Sequence, residues 1–185
     1  MSQRASRVCP VERAGSLDNG LRRWLQNPWK ILRPYIEEGM TAADIGCGPG
    51  FFSMEMARMV GATGRVFACD VQQGMLDNIR DKISGTALEE RIILHRCGEN
   101  TIGLSESVDF ILLFYMVHEV QNKADFFVEL ATILRPGGTV LIAEPPIHVS
   151  TSAFNRTVDM ARDVGFVDSK GPHLLLSKTV ILNKG

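Results

Sequence analysis

Three glycines at alternate positions, Gly46, Gly48 and Gly50, follow an acid at Asp44 in the stretch Thr41-Ala42-Ala43-Asp44-Ile45-Gly46-Cys47-Gly48-Pro49-Gly50-Phe51-Phe52. Glycine tolerates positive φ and has no Cβ, so this spacing lets the chain turn tightly and lets a ligand press on bare backbone. A strand, a glycine turn and a helix N-terminus together make a corner that binds anions and nucleotides. A dinucleotide turn needs Gly-x-Gly-x-x-Gly. Counted from Gly46 the last glycine position falls on Phe51, and counted from Gly48 it falls on Ser53. The pattern therefore argues against a dinucleotide. Asp44 instead places a carboxylate near the strand's carboxyl end, where it can bind an amino group.

A second acid, Asp70, closes the strand pattern Arg65–Cys69. It lies about 20 residues beyond the glycines, where an adjacent strand delivers a carboxylate to ribose hydroxyls. Its structural alternative is an N-cap, because Asp70 also precedes the helical pattern Gln72 to Ile83. His118 comes just past the apolar run Val108–Phe114, and its ordinary pKa suits a general base. A histidine that packs or caps a helix start is the plain reading of the same residue. Glu144 and His148 follow the next strand pattern on the same side and are weaker candidates for handling a proton. Cys47, Cys69 and Cys97 fall at or just beyond the ends of the first three strands. Small soft residues filling tight sites is the ordinary reading; thiols opening together on a crevice rim, suited to a thiophilic acceptor, is the chemical alternative.

These residues need a scaffold. Residues 1–16 lack periodicity, Leu17, Leu21, Trp24 and Leu25 share a helical face, and Asn27-Pro28 reads as N-cap and N1 of a helix carrying Trp29, Ile31, Leu32 and Ile36. This first segment, residues 1–40, is expected to pack against the sheet or to act as a lid. Residues 41–185 then form the core. A helix is expected over Phe51–Val60, a third strand over Ile92–Arg96, and a helix after Asn122 with Phe126, Phe127, Leu130, Ile133 and Leu134 inward. Arg135-Pro136-Gly137-Gly138 reads as a type II-like turn into the strand Thr139–Ala143. A last helix over 152–164 precedes two closing strands, Phe166–Asp168 and Thr179–Leu182. Strand and helix alternating five times call for a parallel sheet with helices on both faces. The closing β–loop–β adds one antiparallel strand.

Composition narrows the partners. The 185 residues are 45% hydrophobic and 22% charged, which suits one globular domain. A net charge of −1 gives no electrostatic case for nucleic acid or an anionic membrane. No apolar run approaches the ~20 residues that span a bilayer. Met1 to Val11 is polar and basic, unlike a secretory signal. Four cysteines, Cys9 included, occur without a C-x-x-C pair, which fits reduced thiols in the cytoplasm and no metal site.

The glycine turn after strand one, the acid after strand two and Leu134-Arg135-Pro136-Gly137-Gly138 before strand five stand in one order across residues 41–143. This set resembles the class I S-adenosylmethionine-dependent methyltransferases, and within them the small-molecule branch that includes the ubiquinone/menaquinone-biosynthesis enzymes. The resemblance covers the cofactor half and hardly the substrate half. It implies a Rossmann-like, doubly wound α/β fold with a seven-stranded, mostly parallel sheet. It also implies that Asp44, Gly46, Cys47 and Gly48 hold the methionine end of S-adenosylmethionine and that Asp70 holds the ribose. Val71 and Met75 would lie on the adenine face, Gly98 and Glu99 along its edge, and the Phe114 carbonyl would accept from the adenine amino group. Met75 as plain helix core and Glu99 as a solvated loop acid are the alternatives. The implied chemistry is methyl transfer to a small molecule by in-line displacement, with S-adenosylhomocysteine as product. Such a reaction asks the protein mainly for positioning, with His118 as base for an acceptor that carries a proton. A nicotinamide-dependent oxidoreductase and a non-catalytic binder of the same fold are the rivals. The acceptor and the oligomeric state stay open.

Overall fold

The computed structural model describes residues 26–185. The expected helix around Leu17, Leu21, Trp24 and Leu25, and Cys9, lie outside the described residues. The elements run α1 (Pro28–Leu32), β1 (Thr41–Ile45), α2 (Ser53–Met59), β2 (Arg65–Asp70), α3 (Gln73–Ile83), β3 (Ile92–Arg96), β4 (Val108–Phe114), a 3-10 turn (Val117–Glu119), α4 (Lys123–Ile133), β5 (Leu134–Glu144), α5 (Thr151–Asp163), β6 (Phe166–Lys170) and β7 (Lys178–Lys184).

All seven strands join one sheet in the order β3-β2-β1-β4-β5-β7-β6. The pairs β1·β2, β1·β4, β2·β3 and β4·β5 are parallel, and β7 runs antiparallel to both of its neighbours. The expected single antiparallel strand is thus β7. Strand order reverses between β1 and β4, and in open α/β sheets that switch opens a crevice outside the carboxyl ends of the strands.

The period-2 geometry of the strands sorts their side chains onto two cores. On one face Phe110, Leu112, Ala42, Val66 and Leu141 meet Leu32 of α1, Met56 of α2 and Ile79 of α3. On the other, Ile111, Leu113, Ala43, Val140 and Leu182 meet Phe127 and Leu130 of α4 and Phe154 and Val158 of α5. β4 is buried along nearly its whole length, which explains its unbroken apolar sequence.

Two expected boundaries move for identifiable reasons. α1 begins where Asn27 caps it, its side chain accepting from Lys30 N–H at 3.0 Å, but ends at Leu32. Pro34 brings no N–H to the ladder, so the chain turns, and Ile36 is buried beyond the helix instead of on it. Arg135-Pro136-Gly137-Gly138 lies inside β5 instead of before it. The register passes from Val108↔Leu134 to Phe110↔Thr139, so these residues are an excursion within the strand, with Gly137 at φ +76. Arg135 Nη1 donates to both oxygens of Asp109 at 2.7 Å, and Asp109 Oδ2 also accepts from Thr41 N–H at 2.9 Å. One carboxylate thereby fixes the lower ends of β1, β4 and β5.

Gly50 closes the glycine turn at φ +86, and a Cβ there would stand 2.8 Å from Ile79 Cγ1 of α3. Gly50→Ala is expected to lower unfolding free energy by about 2–4 kcal/mol, from left-handed strain plus overpacking. Urea titration of the two proteins measures it, and equal stability would contradict this packing.

Candidate active site

The corner is built from β1, the glycine turn and the end of β2. Gly46 and Cys47 donate their N–H groups to the Cys69 carbonyl at 2.8 and 3.0 Å, so the turn stays tied to β2 as it leaves the sheet. Asp44 shares its sheet face with Ala42 and is buried, its Oδ2 accepting from Ser53 Oγ, the first residue of α2, at 2.5 Å. That bond joins the strand before the turn to the helix after it. Gly46, Gly48 and Gly50 all have positive φ, at +73, +53 and +86.

Asp70 spans the corner. Its Oδ2 accepts from Gly48 N–H at 3.0 Å and its Oδ1 from Gln72 N–H at 2.9 Å, at the start of α3. The N-cap position of α3 is Gln72, without a side-chain cap bond, so Asp70 does not cap the helix as its alternative reading expected; its bond to Gln72 N–H is a local turn contact two residues on. Burial pushes its pKa above the usual carboxylate value, and the N–H groups of Gln72, Gly48 and Val71 oppose that.

The other expected cofactor residues lie just before and on α3, in the loop after β3 and at the end of β4. Val71 is exposed beside Asp70, whereas Met75 is buried on α3. Gly98 and Glu99 are exposed in the loop after β3. Glu129 of α4 clamps the next part of that loop, taking Thr101 Oγ1 at 2.8 Å, Ile102 N–H at 2.8 Å and Gly103 N–H at 2.6 Å. His95 Nε2 donates to the Ile102 carbonyl at 2.7 Å. Phe114 ends β4 with its ring 4.4 Å from that of Phe52, which ties the tip of β4 to the glycine turn.

His118, Glu144 and His148 come together at the ends of β4 and β5. His118 Nδ1 lies 2.6 Å from Glu144 Oε2, and its backbone N–H donates to Oε1 at 3.3 Å. The rings of His118 and His148 stack at 5.8 Å and 4°. The hydrogen bond to Glu144 raises the His118 pKa, burial opposes it, and Glu119 and Lys123 act in opposite senses. Glu119 itself is raised, chiefly by burial.

The cysteines do not open onto a shared rim. Cys47 packs into the α1–α3 core and Cys69 into the α4–α5 core, both buried, with Cys97 half-buried. Burial raises the Cys47 thiol, and a hydrogen bond with Cys97 followed by burial raises Cys69, so both stay protonated. Among the described residues no group of three His, Cys, Asp or Glu side chains can hold a metal ion.

Sequence reasoning passed over Tyr115. It takes φ +61 directly after β4, a strained value for a non-glycine residue. Its hydroxyl meets Gln26 Nε2 at 2.9 Å, Ser177 Oγ at 2.6 Å and the Leu176 carbonyl at 3.1 Å. Nothing in the local sequence signals this, because tyrosine has no preference for left-handed backbone and its partners lie 61 to 89 positions away. Ser53 and Glu129 were missed for a similar reason. Serine at the first turn of a helix and glutamate on a helix are ordinary, and only the fold brings Asp44 and the loop after β3 to them.

A sheet whose order reverses beside a glycine turn, with an acid ending the next strand, defines a Rossmann-like domain that binds a nucleoside cofactor. Residues 42–138 match the model of the methyltransferase domain family. The chain belongs to that family. It is 25% identical over 123 residues to a demethylmenaquinone methyltransferase of Halalkalibacterium halodurans, covering 66% of this chain and 49% of that protein. It is 27% identical over 124 residues to a ubiquinone/menaquinone biosynthesis C-methyltransferase of Geobacter sulfurreducens, covering 66% and 48%. The chain thus spans about half the length of the curated relatives it matches. A SAM-dependent methyltransferase from Aquifex aeolicus superposes with a TM-score of 0.82 at 26% identity, over 94% of this chain and 97% of that one.

The corner fits the cofactor by its shape. A Cβ at Gly48 would meet no atom within 4 Å, so the space a side chain would fill there is open. Gly48→Ala is therefore expected to cost folding only about 1 kcal/mol, for its backbone conformation, yet to weaken S-adenosylhomocysteine binding at least tenfold. Calorimetry and urea titration separate the two effects, and unchanged affinity would contradict the placement. His118 makes a second prediction. Its folded pKa is raised above the unfolded value, so its contribution to stability is fully present below the unfolded pKa, about 6.5, and is lost as pH rises through the folded value. The melting temperature of wild type relative to His118→Gln should fall across that window, and a flat difference would contradict it.

Proposed function

We propose that the protein transfers the methyl group of S-adenosylmethionine to a small-molecule acceptor bound at the ends of β4 and β5. The observation that carries this reading is the juxtaposition, along one sheet edge, of the Asp44–Gly48–Asp70 corner with the His118–Glu144 pair. S-adenosylmethionine, when bound, supplies an electrophilic methyl group and leaves as the neutral thioether S-adenosylhomocysteine.

The chain's residues divide the remaining work. Asp44, Gly46, Cys47 and Gly48 shape the methionine end. Asp70 offers its carboxylate to the ribose, while Val71, Met75, Gly98, Glu99 and the Phe114 carbonyl enclose the adenine. Because the site must hold the reacting groups in line, rigidity is its main contribution. The Ser53–Asp44 bond and the Glu129 clamp supply that rigidity on either side. His118 serves as the base on the acceptor side. Residues 1–40 act as the lid, a role supported by Gln26 donating to the Tyr115 hydroxyl beside the crevice.

The net charge of −1 favours a small molecule over nucleic acid. Among the described residues no helix is long and apolar enough to cross a membrane. The free thiols Cys47, Cys69 and Cys97 support work in the reducing cytoplasm.

Calorimetry with S-adenosylhomocysteine tests the reading. Wild type should bind in the micromolar range and Asp70→Ala should lose at least tenfold, with NADH giving no heat. Binding of NADH in place of S-adenosylhomocysteine would sink the proposal.

A further inference from the structure

Glu144 is only 2% exposed, and both of its oxygens face one residue. Oε2 lies 2.6 Å from His118 Nδ1, and Oε1 accepts the His118 backbone N–H at 3.3 Å. A carboxylate removed from water needs such partners. Here they orient a single imidazole, whose plane is held from one side by the parallel ring of His148.

The contact specifies a proton position. An ionised carboxylate only accepts hydrogen bonds, so Nδ1 carries the hydrogen, and in the neutral ring Nε2 is the bare nitrogen. The His118 side chain is 27% exposed and Glu144 3%, so the acid is the sealed member of the pair and the ring the one that reaches solvent, with Nε2 the nitrogen not engaged by the acid.

We propose that Glu144 is a positioning residue for methyl transfer, holding His118 as the Nδ1–H tautomer so that Nε2 takes the proton of a hydroxyl or acidic C–H acceptor. This deepens the function proposed above and rests on it. The acceptor's electron pair forms the bond to the methyl carbon, the carbon–sulfur pair returns to sulfur, and the acceptor's proton passes to Nε2. The imidazolium keeps its Nδ1–H on Glu144, whose charge offsets its own, and loses the Nε2 proton to water after product leaves. A thioether or tertiary amine has no proton to give up and no use for this arrangement.

The charged groups around the ring agree with that role. Glu144 from β5 and Glu119 from the same 3-10 turn favour the imidazolium, Lys123 at the start of α4 disfavours it, and His148 stacks on it.

Long-range proton–nitrogen spectra of the histidine-labelled full chain, assigned with His118→Asn, read the tautomer and titration directly. Wild type should show Nδ1–H with a midpoint above about 6.5. Glu144→Gln keeps an oxygen acceptor but no charge and should lower that midpoint. Rates of S-adenosylhomocysteine release are then measured against pH with a short-chain demethylmenaquinol and with catechol as probe acceptors. The acidic limb should track the spectroscopic midpoint in both proteins, and kcat should fall about 10–100-fold in Glu144→Gln while S-adenosylhomocysteine affinity holds.

An Nε2–H tautomer, an acidic limb indifferent to Glu144, or turnover of dimethyl sulfide with neither probe methylated overturns the proposal. Should Glu144→Gln not fold, the wild-type tautomer and the match of midpoint to acidic limb still decide. Failure of S-adenosylhomocysteine to bind wild type would instead strike the function itself.

Discussion

One carboxylate, Asp70, holds the working corner in shape. Its two oxygens take the N–H groups of Gly48 and Gln72, which belong to the glycine turn and to the start of the next helix. A second tie between the same two segments comes from Lys82 of α3, whose ammonium donates to the Pro49 carbonyl at 2.9 Å. Burial of the acid costs solvation, visible in its raised pKa, and hydrogen bonds from the backbone offset that cost. The corner is therefore organised by an interaction between strand end and loop, and its stiffness depends on the parallel pairing of β1 with β2 that delivers Asp70 there.

The division of the sheet into two cores explains why the corner tolerates such polarity. Asp44 stands among apolar neighbours on the face of β1 that looks toward α2, and Ser53 answers it. Asp109, at the other end of the sheet, plays a mechanical part for β1, β4 and β5 with Arg135. Polar groups thus sit at both ends of strands whose middles are apolar. Their partners are supplied by the fold, and among the described residues no buried side-chain polar atom lacks a hydrogen bond.

Much of the architecture was legible because it is written in local signals. The apolar runs Ile92–Arg96 and Val108–Phe114 became β3 and β4 with the bounds expected. The caps at Asn27 and Asn122 form as their residue types imply. The glycine spacing marked the turn, and Asp70 the end of β2. What escaped was non-local. The Arg135–Gly138 turn is absorbed into β5 because Arg135 is drawn to Asp109 on the neighbouring strand. Cys69 of β2 packs into one core with Cys97 beside it and Cys47 of the glycine turn into the other, although their positions in sequence look equivalent. His118 stood out by its residue type, but its pairing with Glu144 depends on β4 lying beside β5, which no spacing records.

The direction of β7 has a consequence for how the molecule is made. Because β7 runs against the other strands, its first residue, Lys178, pairs with Glu144 at the crevice edge, and the loop before it reaches the hydroxyl of Tyr115. The hydrogen bonds of Asp70 to Gly48 and Gln72 need no residue beyond Gln72, and every residue proposed for the cofactor has been synthesised once Phe114 is added. The rim around Tyr115 waits more than sixty further residues for Leu176 and Ser177 to leave the ribosome. A nascent chain therefore contains every residue of the glycine corner well before it can build the rim around Tyr115.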